Sequence, residues 1–421
     1  MGEGRARTPA LGRAGLPRPL SRLIPPLTMA LPPTIFAVAA LSFPLTVARL
    51  FAVPGPATTT WIAVLYGVPG VLSLVLTWWY RQPLLAAYST LGTVAAATLV
   101  GHAGYAELRG ASLVAGLLIF LLGAAGLSER VARWVPGPIV MAMMAGAILP
   151  YVAGMFTEAG GAPAVVGSAF LAYVLGRRFL PARIPAILPA VIVGMAAASL
   201  TGMLSLNRFR WLAPSLHAAP PAFSWTAVIA FAPVLAVLMS TSANLASVVY
   251  IRSQRYPASL RAIDVITGAA SVAGSFFGFT PFCMASFLAA PTAGPDAGDH
   301  DVRHWSVYFS GVGFLVIAAL AGTAADLLRI VPLSVLLALA GLALIGALSS
   351  TLQEALRGPL VVGPLFAFAV AVSHLSYFGI GPLFWSLAIG TAASAVLERH
   401  EVAVLNARGL LPDDSGGAAE R

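Results

Sequence analysis

A chain of 421 residues that is 59% hydrophobic and 9% charged cannot clothe a water-facing surface, because soluble domains carry roughly 25% charged residues. Its formal charge of +9 rests on 24 basic residues, all arginine, set in short connections without a basic stripe or interleaved aromatics, which excludes a nucleic-acid surface. The single cysteine, Cys283, lies in an apolar stretch, which excludes a disulfide framework and leaves no cluster for a metal.

Uncharged runs at 23–48, 138–157, 224–251, 305–325 and 330–353 each suffice for a bilayer crossing of about 20 residues. Backbone amides in lipid must be satisfied within their own segment, so such runs predict helices, whereas a barrel would show short alternating segments. Residues 1–27 form a basic tail, and the apolar run behind it is too long for a cleaved signal. With charges, prolines and glycines as punctuation, seven spans fall near residues 28–50, 57–79, 83–99, 107–127, 135–157, 162–178 and 183–203. A Pro-rich external linker, 204–223, follows. Seven more spans fall near 224–250, 261–278, 280–293, 304–324, 329–350, 358–374 and 380–397, before a second tail, 398–421.

With the N-terminus in the cytoplasm, nineteen arginines fall in cytoplasmic connections and five outside, the bias that sets orientation in membranes. Both termini then face the cytoplasm. Halves of seven spans, 28–203 and 224–397, must be inverted relative to each other, and transporters built that way hold substrate at discontinuous helices in matching positions of each half. The third and tenth spans are those positions. Arg81-Gln82-Pro83 precedes one short segment, interrupted by Tyr88-Ser89-Thr90 and Gly92; Gly278-Phe279-Thr280-Pro281 opens the other, which ends at Pro291 and Gly294. Proline in a first turn leaves free amides pointing outward, and a helix N-terminus carries about half a positive charge. Two such ends would hold an anion without a buried arginine. The competing reading is that these residues only kink ordinary helices.

The strings Arg81-Gln82-Pro83, Ala87-Tyr88-Ser89-Thr90, Tyr105-Ala106-Glu107, Gly126-Leu127, Glu129-Arg130, Asn244-Leu245 and Leu339-Ala340-Gly341-Leu342, in this order over some 300 residues, resemble the benzoate:proton symporter family of bacterial inner-membrane proteins. The resemblance implies an all-α polytopic fold like that of the uracil-permease and anion-exchanger class: about 14 transmembrane segments in two inverted seven-span repeats, with broken helices at spans 3 and 10 and with core and gate domains. It also implies uptake of a small aromatic carboxylate, benzoate or a relative, with protons. This chain departs from the family where Ala243 replaces a glutamine, and where Gly278-Phe279-Thr280 and Cys283 replace a Gly-Gly-His start and an asparagine.

Candidate substrate-binding residues follow. Tyr88, Ser89 and Thr90 offer hydroxyls to a carboxylate or cap their own helix. Thr280 and Cys283 mirror them in the second half. Asn244, mid-span, pairs with substrate, with a broken helix end or with another helix. Phe279 and Phe282 stack on an aromatic ring or pack in the core. The few ionisable groups within spans are functional candidates by default: Asp264, Glu107 and His374 for proton coupling, and Asp326. The competing readings are capping or pairing with a neighbour, Arg261 for Asp264 and Arg109 for Glu107, and simple packing for His374. No nucleophile with a base, metal motif or phosphate loop points to an enzyme, so no cofactor is expected. The leading expectation is a secondary active transporter whose partners are a small organic anion, protons and the bilayer, with a homodimer left open. A passive anion channel, and a carrier for a nucleobase or short-chain carboxylate, are the alternatives.

Overall fold

The computed structural model describes residues 22–158, 160–181, 186–204, 214, 216–331, 333–373, 375, 377–378 and 380–407. His374 lies outside these residues. Nearly everything described is helix. Helix α1 covers Ile24–Leu50 in three joined pieces, and α2 covers Gly55–Tyr80. Strand β1 (Ala86–Tyr88) leads into the short helix α3 (Thr90–Ala96), closed by a 3-10 turn at Ala97–Leu99. Then come α4 (Tyr105–Ala125), α5 (Ser128–Trp134), α6 (Gly137–Glu158), α7 (Pro163–Phe179) and α8 (Ile187–Leu200).

In the second half α9 runs over Trp225–Ser253, and α10 over Leu260–Gly274. Strand β2 (Phe282–Met284), a 3-10 turn at Ser286–Leu288 and helix α11 (Ala289–Ala293) lie where the sequence predicts a span at 280–293. The chain continues through α12 (His304–Ala319), α13 (Ala321–Ile330), α14 (Leu333–Ala355), α15 (Val362–Val372), α16 (Pro382–Leu397) and α17 (Arg399–Ala407). Among the described residues five helices, α1, α2, α4, α6 and α9, are long and apolar enough to cross a membrane by length and composition; α8, α12, α15 and α16 are shorter apolar helices.

Three elements, β1, β2 and α5, were not expected as such. Three-residue strands replace the predicted helical starts at 83 and 280, each held extended by its pairing with the other and by a serine of the preceding helix that takes one of its amides. Helix α5 occupies an arginine-bearing connection too short to read as a span.

The helices pair across the chain: α2 lies against α12 and α4 against α10; α6 lies against α14; α7 packs on α8, and α15 on α16. Close approach is set by small residues, the usual device where lipid removes any hydrophobic drive between helices. At the α4–α10 crossing a Cβ on Gly268 would sit 2.5 Å from the Phe120 amide nitrogen, and one on Gly116 2.8 Å from Ser271 Cβ.

Candidate functional site

The two strands form an antiparallel ribbon with Ala86 opposite Met284, Ala87 opposite Cys283 and Tyr88 opposite Phe282. Each strand therefore hands over to a helix that leaves in the opposite direction, and both helix starts stay beside the ribbon. Each strand is pinned from behind by a serine of the preceding helix. The Ala86 amide donates to Ser73 Oγ on α2 at 2.9 Å, and the Phe282 amide donates to Ser271 Oγ on α10 at 2.9 Å. The Ser89 amide bonds to the Pro281 carbonyl at 2.7 Å, and the Ala285 amide to the Leu85 carbonyl at 2.9 Å, which extends the ribbon at both ends.

A cavity of about 520 Å³ opens at these helix starts, within the range of small-molecule sites. One wall is the ribbon and its helix starts, with Thr90, Cys283 and Ser286; another is α1, with Phe36 and Phe43. Ser242 and Ala243 reach it from α9, and Met141, Leu344 and Thr351 from α6 and α14. Among the described lining residues no arginine or histidine occurs, and Glu354 is the one carboxylate. Phe287 meets Phe36 edge to face, ring centroids 4.8 Å apart, yet stays 53% exposed.

Of the residues singled out in the sequence, Tyr88, Ser89, Thr90 and Cys283 line the cavity. The Tyr88 hydroxyl is already occupied: it lies 3.0 Å from the Ala40 carbonyl and 3.2 Å from the Tyr66 hydroxyl, so only the ring is offered. Ser89 is the helix cap, its Oγ accepting from the Gly92 amide at 3.0 Å. Thr90 is half-buried on the cavity wall, and its hydroxyl has no hydrogen-bond partner among the described residues. The first amides of a helix have no intrahelical acceptor, which adds the Thr90 and Leu91 N–H groups.

Thr280, Phe279, Phe282 and Asn244 are buried behind the wall. Phe279 packs on Trp61 and Phe231, and its carbonyl accepts from Trp61 Nε1 at 2.5 Å. Phe282 is fully buried and is not among the cavity-lining residues, and Thr280 Oγ1 has no hydrogen-bond partner among the described residues. The residue matching Thr90 is Ser286, for each stands two positions past its strand, at Tyr88 and at Met284. Counting from Pro83 and Pro281 misses this, since the approach to the first strand is longer. Phe36, Phe43 and Phe287 were missed because an apolar run gives no sign of which face meets a cavity.

The middle of α9, Leu238–Leu245, is a π-helix, a form frequent at functional sites. Its wider turn sends Ser242 and Ala243 to the cavity while Ser240 and Asn244 face α10. Asn244 Nδ2 donates to Asp264 Oδ1 at 2.7 Å and to Thr267 Oγ1 at 3.0 Å, and its Oδ1 accepts the Met284 amide at 2.8 Å. It thus joins a neighbouring helix and a broken-span segment at once.

Asp264 does not pair with Arg261, which donates to the Ala124 carbonyl. Glu107 caps α4 by accepting the Gly104 amide at 2.8 Å, and Arg109 bonds to the Pro220 carbonyl instead of to Glu107. Asp326 is buried outside the cavity lining.

Helices interrupted by a two-stranded ribbon over an apolar cavity define a polytopic transporter fold. The transmembrane domain of a cyanobacterial bicarbonate transporter, BicA, is similar with a TM-score of 0.59 at 20% identity, covering 88% of this chain and 97% of that one. SLC26A9 is similar with a TM-score of 0.58 at 15% identity, over 92% of this chain and 66% of that one. The sequence profile of the family described as benzoate membrane transport protein matches residues 28–396, and the chain belongs to that family of membrane transporters, not enzymes. The benzoate membrane transport protein of Acinetobacter baylyi is 27% identical over 340 residues, 80% of this chain and 86% of that protein. The inner membrane protein YdcO of Escherichia coli is 29% identical over 345 residues, with the same coverage.

Proposed function

We propose that this chain is a secondary carrier that takes up benzoate or a close aromatic carboxylate together with a proton, by alternating access. The observation that carries the reading is the pair of helix starts opening onto one largely apolar cavity. Free amides and the Thr90 and Ser286 hydroxyls suit a carboxylate, and Phe36, Phe43 and Phe287 suit a ring. Ala243 and Cys283, two of the departures from the family pattern, both lie on the cavity wall. They leave it less polar there, which favours an unsubstituted ring over one bearing hydroxyls.

The inverted-repeat organisation belongs to the same proposal. Matching span one with eight, two with nine and onward turns the α2–α12 contact into α10–α4, turns α7–α8 into α15–α16 and returns α6–α14 to itself. The same exchange relates the Ser73–Ala86 bond to the Ser271–Phe282 bond. A core of α1–α4 with α9–α12 then bears the ribbon, and a gate of α6–α8 with α14–α16 supplies the facing wall. With both termini cytoplasmic, Tyr250 and Glu354, near Arg252 and Arg357, set the cavity mouth on the cytoplasmic side.

Uptake of radiolabelled benzoate into proteoliposomes with an imposed pH gradient tests the reading. Saturable accumulation above the external concentration is expected. Flux that only follows the benzoate gradient would make the protein a facilitator, and no saturable carboxylate uptake would end the proposal.

A further inference from the structure

The carboxylate connected to the binding wall stands behind it. Asp264, on α10, has no exposed surface. Its Oδ1 accepts from Asn244 Nδ2 and its Oδ2 from Ser240 Oγ, at 2.7 and 3.1 Å. Through its own Oδ1, Asn244 holds the amide of Met284, a cavity-lining residue of β2. Two hydrogen bonds therefore separate a buried acid from the strand that shapes the site.

Resting on the carrier reading above, we propose that Asp264 is the proton-binding group of coupled uptake and that Asn244 transmits its protonation state to strand β2. An ionised carboxylate only accepts hydrogen bonds, whereas a protonated one must also donate. A proton on Oδ1 displaces the Asn244 Nδ2 bond. The amide then keeps Thr267 Oγ1 alone, whose own hydrogen is committed to the Ile263 carbonyl at 2.8 Å, and the hold on Met284 is altered. A proton on Oδ2 must find an acceptor. The Ser128 hydroxyl, buried at the start of α5 without a hydrogen-bond partner of its own, lies near enough to the carboxylate to interact with it. Ser128 adjoins the exposed residues 124–127, which gives the proton a route to water.

The other ionisable groups on the elements packed around Asp264 leave it unpaired. Arg261 on its own helix is bound to Ala124. Glu129 and Arg130 lie on α5, Cys283 on β2, and Tyr66 and Tyr80 on α2; Tyr250 and Arg252 lie at the end of α9, Arg252 donating to the Ala258 carbonyl, and Tyr105, Glu107 and Arg109 sit at the far end of α4. Among the described residues Asp264 forms no ion pair.

The charge balance fits one proton per substrate. An empty core with ionised Asp264 carries one negative charge at the site, and a core with a benzoate anion and a proton on Asp264 carries the same. A second uncompensated charge would be opposed by the desolvation penalty of a low-dielectric interior. Uptake is therefore electroneutral.

The test uses the full-length protein in liposomes with radiolabelled benzoate. D264N keeps the shape and an acceptor for Asn244 but cannot ionise; it is expected to retain benzoate counterflow and to lose accumulation driven by a pH gradient. D264E is expected to keep driven accumulation with its pH profile displaced. D264N that still accumulates benzoate on a pH gradient as wild type does overturns the inference and leaves the carrier reading standing. If D264N does not fold, D264E decides: a displaced profile supports the role, and a slower rate with an unmoved profile overturns it. Absence of saturable uptake by wild type would overturn the carrier reading itself.

Discussion

Phe287 is the residue whose removal says most about the occupant of the cavity. It is half exposed, it meets Phe36 edge to face, and it belongs to the turn that starts the second broken span. In F287A a bound benzoate ring loses one face of aromatic contact. An aromatic pair contributes about 0.5–1.5 kcal/mol beyond area burial, and some 40 Å² of apolar contact adds roughly 1 kcal/mol at about 25 cal/mol per Å². The sum, about 2 kcal/mol, corresponds to roughly a 30-fold rise in Kd. F287L keeps most of the area and forfeits the ring term alone, a rise of about tenfold at most. The assay is equilibrium binding of radiolabelled benzoate to purified protein at fixed pH, with cyclohexanecarboxylate as competitor. Because that acid has no π face, its affinity should fall less than that of benzoate in F287L. Since Phe287 is half exposed, folding should be little affected. Equal losses for both acids, or an unchanged benzoate Kd in F287A, would refute a ring bound against Phe287.

The remaining predictions concern the supports of the site and of the gate. T90V removes a cavity hydroxyl and should weaken carboxylate binding by about 1–2 kcal/mol, roughly tenfold in Kd, with little change in melting temperature. S271A orphans the buried Phe282 amide, and S73A the buried Ala86 amide; each should lower stability by about 1–3 kcal/mol, measured by thermal unfolding in detergent, and similar losses would match the two halves. Glu398, just past the end of α16, is buried, which alone would raise its pKa; acceptance from the amides of Gly363, Val361 and Val362 and from the Ser394 hydroxyl outweighs this and holds it below the usual carboxylate range. Because the folded value is depressed, its stabilisation is full at neutral pH and is lost as the pH falls through that lowered value. E398Q should melt lower at neutral pH, by about 2–4 kcal/mol for a lost amide partner and a lost charge at a helix N-terminus, and the gap to wild type should close in acid; a gap independent of pH would contradict the arrangement.

Most of the helices were legible because a bilayer demands long apolar runs and tolerates arginine only at their ends. The predicted 57–79 is α2, Gly55–Tyr80, and the predicted 380–397 is α16, Pro382–Leu397. The broken spans were legible through their prolines and glycines; at Gly278 a Cβ would sit 2.5 Å from Trp61 Cδ1. The strands were not, since three residues show no alternation, and the choice between Thr280 and Ser286 depended on where each strand ends. Asn244 and Asp264 stood out as polar groups in apolar surroundings, but their bond to each other joins two helices and no local pattern encodes it. Glu398 looked like part of a tail, although its partners lie some 35 residues upstream at the start of α15.

The single cysteine of the chain borders the cavity and is almost wholly buried, 3% exposed, so slow alkylation of the unmodified protein by a small thiol reagent reports on that wall alone. Benzoate is expected to slow the modification of Cys283 in a saturable manner, with half-protection at its binding Kd, while benzyl alcohol, which has the ring without the carboxylate, protects weakly. Saturable benzoate binding that leaves the alkylation rate of Cys283 unchanged would contradict a substrate held between the two helix starts.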